Sequence, residues 1–314
     1  MRIVRKIAVV GPGLMGSGIA ASFAQGGYEV ALIGRSEERL NEAFARIKRY
    51  LRTLHDADLI DDEARVFGLI RGFVDLEDGL RGADFVIEAV PEDMSVKKKT
   101  FQEVNRICPE DVIFATNTSG LSITEMATAV SSPGRFLGTH FWNPPHLVPL
   151  VEVVKGEKTR EDVVEAVLDV LRRIRKEPVL VNKDIPGFIG TRLHQALIRE
   201  AFYIVEQGVA TVEDVDRVVK ASFGRRLAVT GPFETCDLGG LDVFLQVAEQ
   251  WRHLSNAQEP SELLKKMVAS GNLGAKTGKG FYVWDKEALE KVERERETVL
   301  IYFLKKEGRC IESA

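Results

Sequence analysis

Apolar runs and amphipathic stretches alternate along the first 184 residues of the chain. Several short runs are nearly continuous in apolar residues, which is typical of parallel strands that are buried on both faces. These runs are 3–10, 28–33, 70–74, 85–89, 112–115, 136–140, 150–154 and 178–181. Amphipathic stretches at 37–54, 94–107 and 160–175 predict helices between them. Strands that alternate with helices predict an α/β fold with a doubly wound, mostly parallel sheet.

The periodicity becomes helical after the segment Asp184-Ile185-Pro186-Gly187. Apolar positions 188, 193, 197, 201 and 204–205 share one helix face, Gly208 ends that helix, and Thr211 with Asp214 forms a capping box for the next. Further helices are predicted at 241–253 and 261–269, with a charged helix of unassigned role at 286–306. We expect an α/β domain at 1–184 and an all-helical domain at 185–314. The helical domain is so apolar that we expect a second copy to cover it in a homodimer.

Composition and charge narrow the class of protein. The 314 residues are 45% hydrophobic, enough for a full core and a second domain, and the net charge is −4. That charge argues against nucleic acid or an anionic membrane as the main partner, and no apolar run has the roughly 18 residues of a membrane span. Cys108, Cys236 and Cys310 are scattered, which predicts neither a disulfide framework nor a metal site. We expect a cytoplasmic protein with a small-molecule substrate.

A glycine-rich loop, Gly11-Pro12-Gly13-Leu14-Met15-Gly16, follows the first predicted strand and opens a helix. In such a loop the first glycine makes the tight turn, the second lets the backbone approach a pyrophosphate, and the third lets helix and strand pack closely. The pyrophosphate lies at the helix N-terminus, where free N–H groups and the helix dipole attract it. The loop therefore predicts a dinucleotide cofactor, NAD or NADP, bound by the residues from Gly11 to Gly16.

The end of the second predicted strand bears on the choice between these cofactors. An acidic residue there normally binds the ribose 2′-hydroxyl of NAD, but this chain has Gly34-Arg35-Ser36. A glycine leaves room for a 2′-phosphate, and Arg35 and Ser36 offer groups that bind it, which favours NADP. The alternative is an exposed arginine at a strand end, with NAD bound through other contacts.

Three polar side chains lie near the carboxyl ends of predicted strands, where ligands collect in doubly wound sheets. Ser119 follows the strand at 112–115, His140 ends the strand at 136–140, and Glu152 lies between two valines. A histidine titrates near neutral pH and can take the proton of an alcohol as hydride leaves its carbon. Glu152 would orient that imidazole, and Ser119 would hydrogen-bond the reacting oxygen. Taken singly, each has a structural explanation as a strand-end histidine, an edge-strand glutamate or a turn serine.

A series of short motifs runs in order from Ile7 to about Tyr282. They are GPGLMGSGIA, EAVPEDMSVKKK, NTSG, THFWNPPHLVPLVEVV, PGFIGTRL, GPFE, GLD and KTGKGFY. The set resembles the 3-hydroxyacyl-CoA dehydrogenase family. The resemblance implies a Rossmann-type domain followed by a helical dimerisation domain. It also implies reversible oxidation of a short-chain L-3-hydroxyacyl-CoA, such as 3-hydroxybutyryl-CoA, to the 3-ketoacyl-CoA in fatty acid metabolism, with NAD as the usual cofactor.

The resemblance also assigns roles to individual residues. His140 matches the catalytic base and Glu152 its carboxylate partner, while Ser119 matches a hydroxyl that contacts substrate and cofactor. Asn143 matches an amide on the cofactor side that we also place near the substrate. Glu92 and Lys97 match positions near the ribose and nicotinamide, and a solvated helix face is the alternative for Lys97. The predicted cofactor contacts outside the glycine-rich loop are Arg35, Ser36, Glu92, Lys97, Asn117, Ser119 and Asn143.

Two departures from the family pattern concern the substrate. Thr191 stands where the family has an asparagine before the arginine of PGFxxNR, and its hydroxyl lacks the paired donor and acceptor of an amide. We predict Thr191 as a further active-site residue, with a structural threonine as the alternative. Arg225 and Arg226 precede GPFE in a predicted loop, where a guanidinium can bind a free carboxylate through two hydrogen bonds. We predict both as substrate-binding residues, with a solvated pair as the alternative.

Because of these departures, a free hydroxy acid is an alternative substrate class. Relatives of the family, such as gulonate 3-dehydrogenase (similar to lambda-crystallin) and carnitine dehydrogenase, use the same architecture on free hydroxy acids. A CoA thioester instead needs cations for its phosphates. Arg46, Arg49 and Arg52 recur on the helix along which members of the family bind CoA. A solvated basic face explains these arginines nearly as well.

A third hypothesis assigns the chain to another class, that of proteins without catalytic activity. A structural or sensor protein can keep a dinucleotide-binding fold after losing turnover, and Thr191 is the residue that supports this reading. The complete pair of His140 and Glu152 argues against it, because an abandoned site has no chemical reason to retain a base with its carboxylate.

Overall fold

The computed structural model describes residues 4–250, 254–257 and 259–308. The strands predicted from the apolar runs are all present, and they form one sheet. They are β1 (Lys6–Val10), β2 (Glu29–Ile33), β3 (Ile70–Phe73), β4 (Phe85–Glu88), β5 (Ile113–Thr116), β6 (Phe136–Phe141), β7 (Leu150–Lys155) and β8 (Glu177–Val181).

The strand order across the sheet is β3-β2-β1-β4-β5-β6-β7-β8. The chain runs outward from β1 to β3 and then crosses to β4 on the other side of β1, so the order reverses between β1 and β4. Ligands bind in doubly wound sheets at such a reversal, beyond the carboxyl ends of the strands. Neighbouring strands are parallel except β6 and β7, which are antiparallel. The predicted α/β class with a mostly parallel, Rossmann-type sheet is confirmed.

Helices connect the strands and then take over the chain. Between the strands lie α1 (Leu14–Gln25), α2 (Glu37–Asp56), α3 (Glu63–Gly68), α4 (Leu76–Leu80), α5 (Met94–Ile107), α6 (Ile123–Met126) and α7 (Glu161–Arg173). After β8 come α8 (Gly190–Glu206), α9 (Val212–Ala221), α10 (Phe223–Arg226), α11 (Pro232–Gly239), α12 (Leu241–Gln250), α13 (Glu262–Ala269) and α14 (Lys286–Lys306). Among the described helices, none is both long enough and apolar enough to cross a membrane.

Short polar side chains fix where several helices begin. Each accepts a hydrogen bond from the backbone N–H three residues later, which satisfies a donor that the first helical turn leaves unpaired. These N-caps are Ser36, Asp62, Asp75, Asp93, Ser122, Thr211 and Ser261. The predicted cap at Thr211 is among them, and its Oγ1 lies 3.1 Å from the N–H nitrogen of Asp214.

The core lies on both faces of the sheet. Successive residues of a strand point to opposite faces, so Ile7 and Val9 join one hydrophobic cluster while Ala8 and Val10 join the other. Each residue of β1 after Lys6 is buried. The near-continuous apolar runs in the sequence therefore reflect strands covered by helices on both sides.

The chain forms two compact units. One contains the residues up to Thr191 together with those from Glu295 onward, and the other contains Arg192–Arg294. The predicted division assigned the whole charged C-terminal helix to the helical domain, but the last turns of α14 belong to the first unit. There Leu304 is buried in the core cluster, and Lys305 Nζ lies 3.3 Å from Oδ2 of Asp58.

Three local details differ from the sequence prediction. Phe188 was placed on the helix face that continues through Leu193, but α8 begins at Gly190 and Phe188 is buried ahead of it. The segment with Arg225 and Arg226 was expected to be a loop and forms the short helix α10. The GPFE motif opens α11, which the apolar pattern did not predict. The predicted residues 251–253 of the helix at 241–253, and Cys310, lie outside the described residues.

Candidate active site

The antiparallel pairing of β6 and β7 sets His140 directly opposite Glu152. Side chains of opposed residues point to the same face of a sheet, so the imidazole and the carboxylate meet. Nδ1 of His140 lies 2.8 Å from Oε2 of Glu152. Both residues are buried, with 5% of His140 and 1% of Glu152 exposed. The structure thus joins directly the two residues that the sequence pairs as base and orienting acid.

The carboxylate of Glu152 accepts hydrogen bonds at both oxygens. Oε2 also accepts from Trp142 Nε1 at 3.3 Å, and Oε1 accepts from the backbone N–H groups of Ile189 at 2.9 Å and Gly190 at 3.0 Å. Burial works to raise the pKa of Glu152, but the bonds from His140, Gly190 and Ile189 outweigh it and hold that pKa below its usual value. The carboxylate therefore stays ionised while it holds the imidazole.

Two aromatic rings flank the imidazole. The ring centroids of Trp142 and Phe188 lie 5.3 Å and 5.9 Å from that of His140. Phe188 has a φ of 48°, a left-handed conformation that bulky residues rarely adopt and that clusters at functional sites. A Cβ at Gly190 would lie 2.5 Å from the Trp142 ring, so glycine permits this close packing. The imidazole of His140 therefore has aromatic rings on one side.

The loop after β5 presents Ser119. Its backbone N–H donates to Oε1 of Glu92 at 2.9 Å, and the hydroxyl of Thr118 donates to the same oxygen. Thr118 Oγ1 in turn accepts from the backbone N–H groups of Gly120 and Leu121. Ser119 itself is exposed. The backbone of this loop is thus fixed while the Ser119 side chain stays accessible.

Asn117 connects this loop to β6, the strand that contains His140. Its Oδ1 accepts a hydrogen bond from the backbone N–H of Phe141 at 2.9 Å, one residue after His140. Asn143 is exposed in the loop that follows β6. Thr191 is half-buried in the first turn of α8, next to Gly190, whose N–H reaches Glu152. The carboxyl ends of β5 and β6 therefore bring Ser119, Asn117 and His140 to one edge of the sheet.

Lys97 lies in the interior of the first unit. Its side chain is 0% exposed, and Nζ lies 2.8 Å and 3.0 Å from the two carboxylate oxygens of Glu88, which is also fully buried. Burial raises the pKa of Glu88, although the ion pair with Lys97 works in the opposite direction. This placement is at odds with a solvated helix face, and the predicted cofactor contact of Lys97 stays a prediction.

The glycine-rich loop has the geometry that a pyrophosphate needs. Gly11 has a φ of 112°, and a Cβ at Gly16 would lie 1.8 Å from the carbonyl oxygen of Gly11, so both positions require glycine. Among the described residues, nothing lies within 4 Å of the Cβ position of Gly13, which is the N-cap of α1 and brings no side chain to the helix N-terminus. Leu14 is half exposed beside it, and Met15 is partly buried. These residues fit a dinucleotide.

Arg46, on α2, donates hydrogen bonds to this loop and to the start of α1. Its Nη2 donates to the carbonyl oxygen of Pro12 at 2.7 Å, and its Nε donates to Oγ of Ser17 at 3.3 Å. Arg52 on the same helix makes two hydrogen bonds to the carboxylate of Glu63. The guanidinium of Arg49 lies 5.9 Å from the ring centroid of Tyr50. Arg46 and Arg52, two of the three arginines expected near CoA, are therefore bound to oxygen atoms of the first unit.

Arg35 follows the end of β2. A Cβ at Gly34 would lie 2.8 Å from Cγ of Pro12, so this glycine serves packing as well as leaving space. Oγ of Ser36 accepts from the backbone N–H of Arg39 as the N-cap of α2. Arg35 is exposed. Arg35 is therefore the group in this segment that can turn to a ligand.

Arg225 and Arg226 lie in the second unit, on α10, and both are exposed. Nε of Arg225 donates to the carbonyl oxygen of Lys220 at 3.0 Å. Their predicted contact with substrate stays a prediction.

Sequence reasoning missed four contributors to this site. Trp142, Ile189 and Gly190 donate to Glu152, and Glu88 anchors Lys97. Glu88 carried a signal, because it is an acid at the end of an otherwise apolar run, Phe85-Val86-Ile87. Trp142 lies in the motif that contains His140, but its role depends on a side-chain direction that no periodicity reveals.

The arrangement is suited to moving a proton at the edge of a dinucleotide-binding sheet. With Nδ1 of His140 held by Glu152, Nε2 is the nitrogen that can accept a proton from a hydroxyl group. Ionised Glu152 then stabilises the resulting imidazolium. An exposed hydroxyl at Ser119 can hydrogen-bond the same substrate oxygen. This chemistry is that of an alcohol–carbonyl oxidoreductase.

Comparison with family models agrees with this geometry. Residues 6–185 match the model described as 3-hydroxyacyl-CoA dehydrogenase, NAD binding domain. Residues 187–284 match the model described as 3-hydroxyacyl-CoA dehydrogenase, C-terminal domain.

Two curated relatives illustrate the range of substrates. The 5-formyl-3-hydroxy-2-methylpyridine 4-carboxylate 5-dehydrogenase of Mesorhizobium japonicum is 35% identical over 300 residues, which cover 95% of this chain and 97% of that protein. A probable 3-hydroxybutyryl-CoA dehydrogenase of Deinococcus radiodurans is 36% identical over 280 residues, which cover 88% and 99%.

Solved structures give the same two substrate types. A crystal structure of 5-formyl-3-hydroxy-2-methylpyridine 4-carboxylic acid 5-dehydrogenase, described as an NAD⁺-dependent dismutase, has a TM-score of 0.91 and 34% identity, and covers 96% of this chain and 97% of that one. A crystal structure of (S)-3-hydroxybutyryl-CoA dehydrogenase from Ralstonia eutropha has a TM-score of 0.76 and 34% identity, and covers 90% and 100%.

Proposed function

The chain belongs to the 3-hydroxyacyl-CoA dehydrogenase family of NAD-dependent oxidoreductases, and on this premise we propose that it interconverts the alcohol and ketone forms of a short 3-hydroxyacyl substrate. The observation that carries the proposal is the 2.8 Å contact between Nδ1 of His140 and Oε2 of Glu152. A bound nicotinamide supplies the hydride acceptor or donor.

The residues of the chain handle the proton. During oxidation His140 takes the hydroxyl proton at Nε2, and Glu152 stabilises the charge that forms on the ring. Ser119 holds the substrate oxygen, and the rings of Trp142 and Phe188 exclude water from the imidazole. In the reverse direction the imidazolium returns the proton to the carbonyl oxygen. Thr191 is a further candidate contact, because it lies beside the N–H groups that bind Glu152.

The first candidate substrate is an L-3-hydroxyacyl-CoA such as 3-hydroxybutyryl-CoA. It is supported by the family, by relatives that carry this name, and by the motif set around His140. Arg49 on α2 lies with its guanidinium 5.9 Å from the ring centroid of Tyr50, and it is the candidate for a CoA phosphate.

A free carboxylic acid is the second candidate. Arg46 binds the cofactor loop and Arg52 binds Glu63, so less of the basic face of α2 is open to a CoA phosphate. A relative with a TM-score of 0.91 is named for a pyridine carboxylate without CoA. Arg225 or Arg226 would bind the carboxylate.

A parallel assay separates the two candidates. Consumption of NADH and NADPH is followed with acetoacetyl-CoA and with free acetoacetate, using wild type and the His140→Asn variant. Turnover of the thioester supports the first candidate, and turnover of the free acid alone supports the second. In both cases His140→Asn should lower kcat by at least about 100-fold. A variant with full activity would contradict the proposed base.

We also propose that the protein prefers NADP, through Arg35, and that it is a homodimer formed through the helical unit. In that unit several large apolar side chains are mostly exposed in a single copy, including Val209 at 74%, Phe233 at 85% and Leu238 at 78%. Because soluble monomers rarely expose large contiguous apolar patches, we expect these side chains to be covered in the dimer. Light scattering coupled to gel filtration should give twice the 34.9 kDa mass of one chain. A monomer at micromolar concentration would contradict the dimer. Cytoplasmic residence and a role in fatty acid metabolism stay predictions.

A further inference from the structure

The segment 184–190, which follows β8, supplies two of the groups that hold the proposed orienting acid. The backbone N–H groups of Ile189 and Gly190 donate to Oε1 of Glu152 at 2.9 Å and 3.0 Å. Donors of this kind favour the ionised form of a carboxylate. The position of this segment therefore affects the acid that holds His140.

The same segment forms a tight turn against the loop that presents Ser119. The N–H of Phe188 donates to the carbonyl oxygen of Ile185 at 3.1 Å, and Gly187 between them has a φ of 78°. A Cβ at Gly120 would lie 3.0 Å from the backbone nitrogen of Gly187 and 3.2 Å from its Cα. Glycine at position 120 thus permits the backbones of the turn and the loop to approach each other closely.

Asp184 holds the start of this turn. The residue is half-buried, and its Oδ2 accepts from the hydroxyl of Ser122 at 2.8 Å and from the backbone N–H of Thr124 at 2.8 Å. Ser122 is also the N-cap of α6, where its Oγ accepts from the N–H of Glu125 at 3.1 Å. Hydrogen bonds to an ionised group are about twice as strong as neutral ones. The carboxylate therefore fastens the turn to the first residues of α6.

We infer that Asp184 is a positioning residue, which fixes the turn so that the N–H groups of Ile189 and Gly190 stay directed at Glu152. The inference rests on the proposed roles of His140 and Glu152 in proton transfer. Asp184 acts through the backbone of the turn, because the hydrogen bond that closes the turn limits how far its two ends can move apart. A displacement of about 1 Å that begins far from the reacting atoms can cost about 100-fold in rate.

The test compares Asp184→Ala with Asp184→Asn. Asparagine keeps a carbonyl oxygen that can accept from both Ser122 and Thr124, so it removes the charge but retains the two bonds, whereas alanine removes both. Asp62→Ala is the control for a general loss of stability. The carboxylate of Asp62 likewise accepts from a backbone N–H, that of Arg65 at 2.9 Å, at the start of α3.

Three quantities are measured for each protein: kcat, KM for the substrate, and amide hydrogen exchange at residues 187–190. Asp184→Ala should lower kcat by about 10–100-fold, keep KM within about threefold and speed exchange at 187–190, because Glu152 acts on the proton rather than on substrate binding. Asp184→Asn and Asp62→Ala should keep wild-type kcat and exchange.

Four results would overturn the inference. Wild-type kcat, or wild-type exchange at 187–190, in folded Asp184→Ala would each show that Asp184 does not position the turn. An equal fall of kcat in Asp184→Asn would assign the effect to the charge rather than to the two hydrogen bonds. An equal fall in Asp62→Ala would assign it to lost stability.

A second pair of variants covers an Asp184→Ala protein that fails to fold. Ser122→Asp and Ser122→Asn both keep an N-cap acceptor for α6, but only aspartate places a like charge beside Asp184. Exchange at 187–190 should rise in Ser122→Asp and stay near wild type in Ser122→Asn; equal exchange in both would contradict the inference. Absence of turnover in wild type would contradict the proposed function, while the exchange measurements would still decide whether Asp184 holds the turn.

Discussion

Cγ of Pro12 lies 2.8 Å from the point that a Cβ at Gly34 would occupy. Pro12 belongs to the cofactor loop, and Gly34 directly follows β2, where NAD-binding sheets carry an acid. A side chain at residue 34 would therefore clash with the cofactor loop. It would also clash with Leu40, whose Cγ and Cδ2 lie 3.1 Å from the same Cβ position. The packing around Gly34 therefore leaves no room for an acidic side chain at this position.

Aspartate at this position should therefore fail to create an NAD enzyme. Gly34→Asp forces the cofactor loop or Leu40 to move, which should cost about 1–3 kcal/mol of unfolding free energy and weaken NADH and NADPH alike. Denaturant unfolding and cofactor titration measure both effects. Gly68→Asp is the control, because no atom of the residues that the structure describes lies within 4 Å of that Cβ position. A stable variant that gains affinity for NADH would show that the loop yields easily.

Arg35 is expected to carry the preference for NADP. Arg35→Ala removes charge-assisted hydrogen bonds worth about 1.5–3 kcal/mol, so the dissociation constant of NADPH should rise at least about tenfold. That of NADH should stay unchanged, and added salt should narrow the difference in wild type. Arg39→Ala is the control, since Arg39 pairs with Glu42 on the surface of α2. Equal effects on both cofactors would remove Arg35 from the phosphate site.

Glu152→Gln should impair the proposed proton transfer by His140, although glutamine has nearly the same shape as glutamate. The four partners of this carboxylate act as donors, and an amide has one oxygen, so its NH₂ group must face two of them. The imidazole loses its fixed orientation and the charge that stabilises its protonated form, and kcat should fall by about 10²–10⁴. The control is Glu165→Gln, an exposed glutamate on α7. Wild-type kcat in Glu152→Gln would show that His140 needs no carboxylate.

The same variant should change how stability depends on pH. The pKa of Glu152 is lowered in the folded protein from a reference value of 4.5, so its contribution to stability is present above that value and is lost as pH falls through the folded pKa. Unfolding of Glu152→Gln should respond less to acid than unfolding of wild type below pH 4.5. Parallel curves would indicate that the carboxylate is not selectively stabilised by folding.

The sheet could be predicted from the sequence because its strands are covered on both faces. Apolar continuity marks such strands almost by itself, and the turn at Gly11 marks where the first one ends. Short elements such as α4 and α10 carry no comparable signal, since a single helical turn has no period to detect. Phe188 shows the limit of periodicity: it continues the spacing of α8, yet its backbone has φ of 48° and its ring turns to His140.

The site was predictable where strand ends carry polar residues and less so where side chains meet across the fold. His140 and Glu152 are 12 positions apart, His140 at the end of one predicted strand and Glu152 within the next, and the resemblance already suggested a pair. Lys97 was linked to the cofactor because its motif resembles that of the family. Its true neighbours depend on burial between α5, β4 and the loop after β5, which a linear pattern of charges does not encode.

His146 is a second buried histidine, distinct from the base. Its ring stacks on Tyr50 with centroids 4.0 Å apart and planes at 18°, and 5% of the residue is exposed. Within the described part of the chain, neither ring nitrogen has a hydrogen-bond partner. Burial, with Lys176 and Arg49 nearby, lowers the pKa of His146 from 6.5 to about 3. The folded protein therefore keeps this ring neutral.

His146→Phe should make the protein less sensitive to acid. Between pH 6.5 and 3 the unfolded chain binds one proton more than the folded chain at this residue, so wild type loses about 1.4 kcal/mol of stability per pH unit from this group as pH falls. Phenylalanine keeps the stack on Tyr50 and removes both the titration and two unpaired nitrogens. Urea unfolding should thus show equal or higher stability at pH 7, and at pH 5 an advantage over wild type larger by about 2 kcal/mol. His55→Phe, at an exposed position of α2, is the control. If His146→Phe and wild type lost the same stability between pH 7 and 5, the ring of His146 would have to be accessible to protons in the folded state.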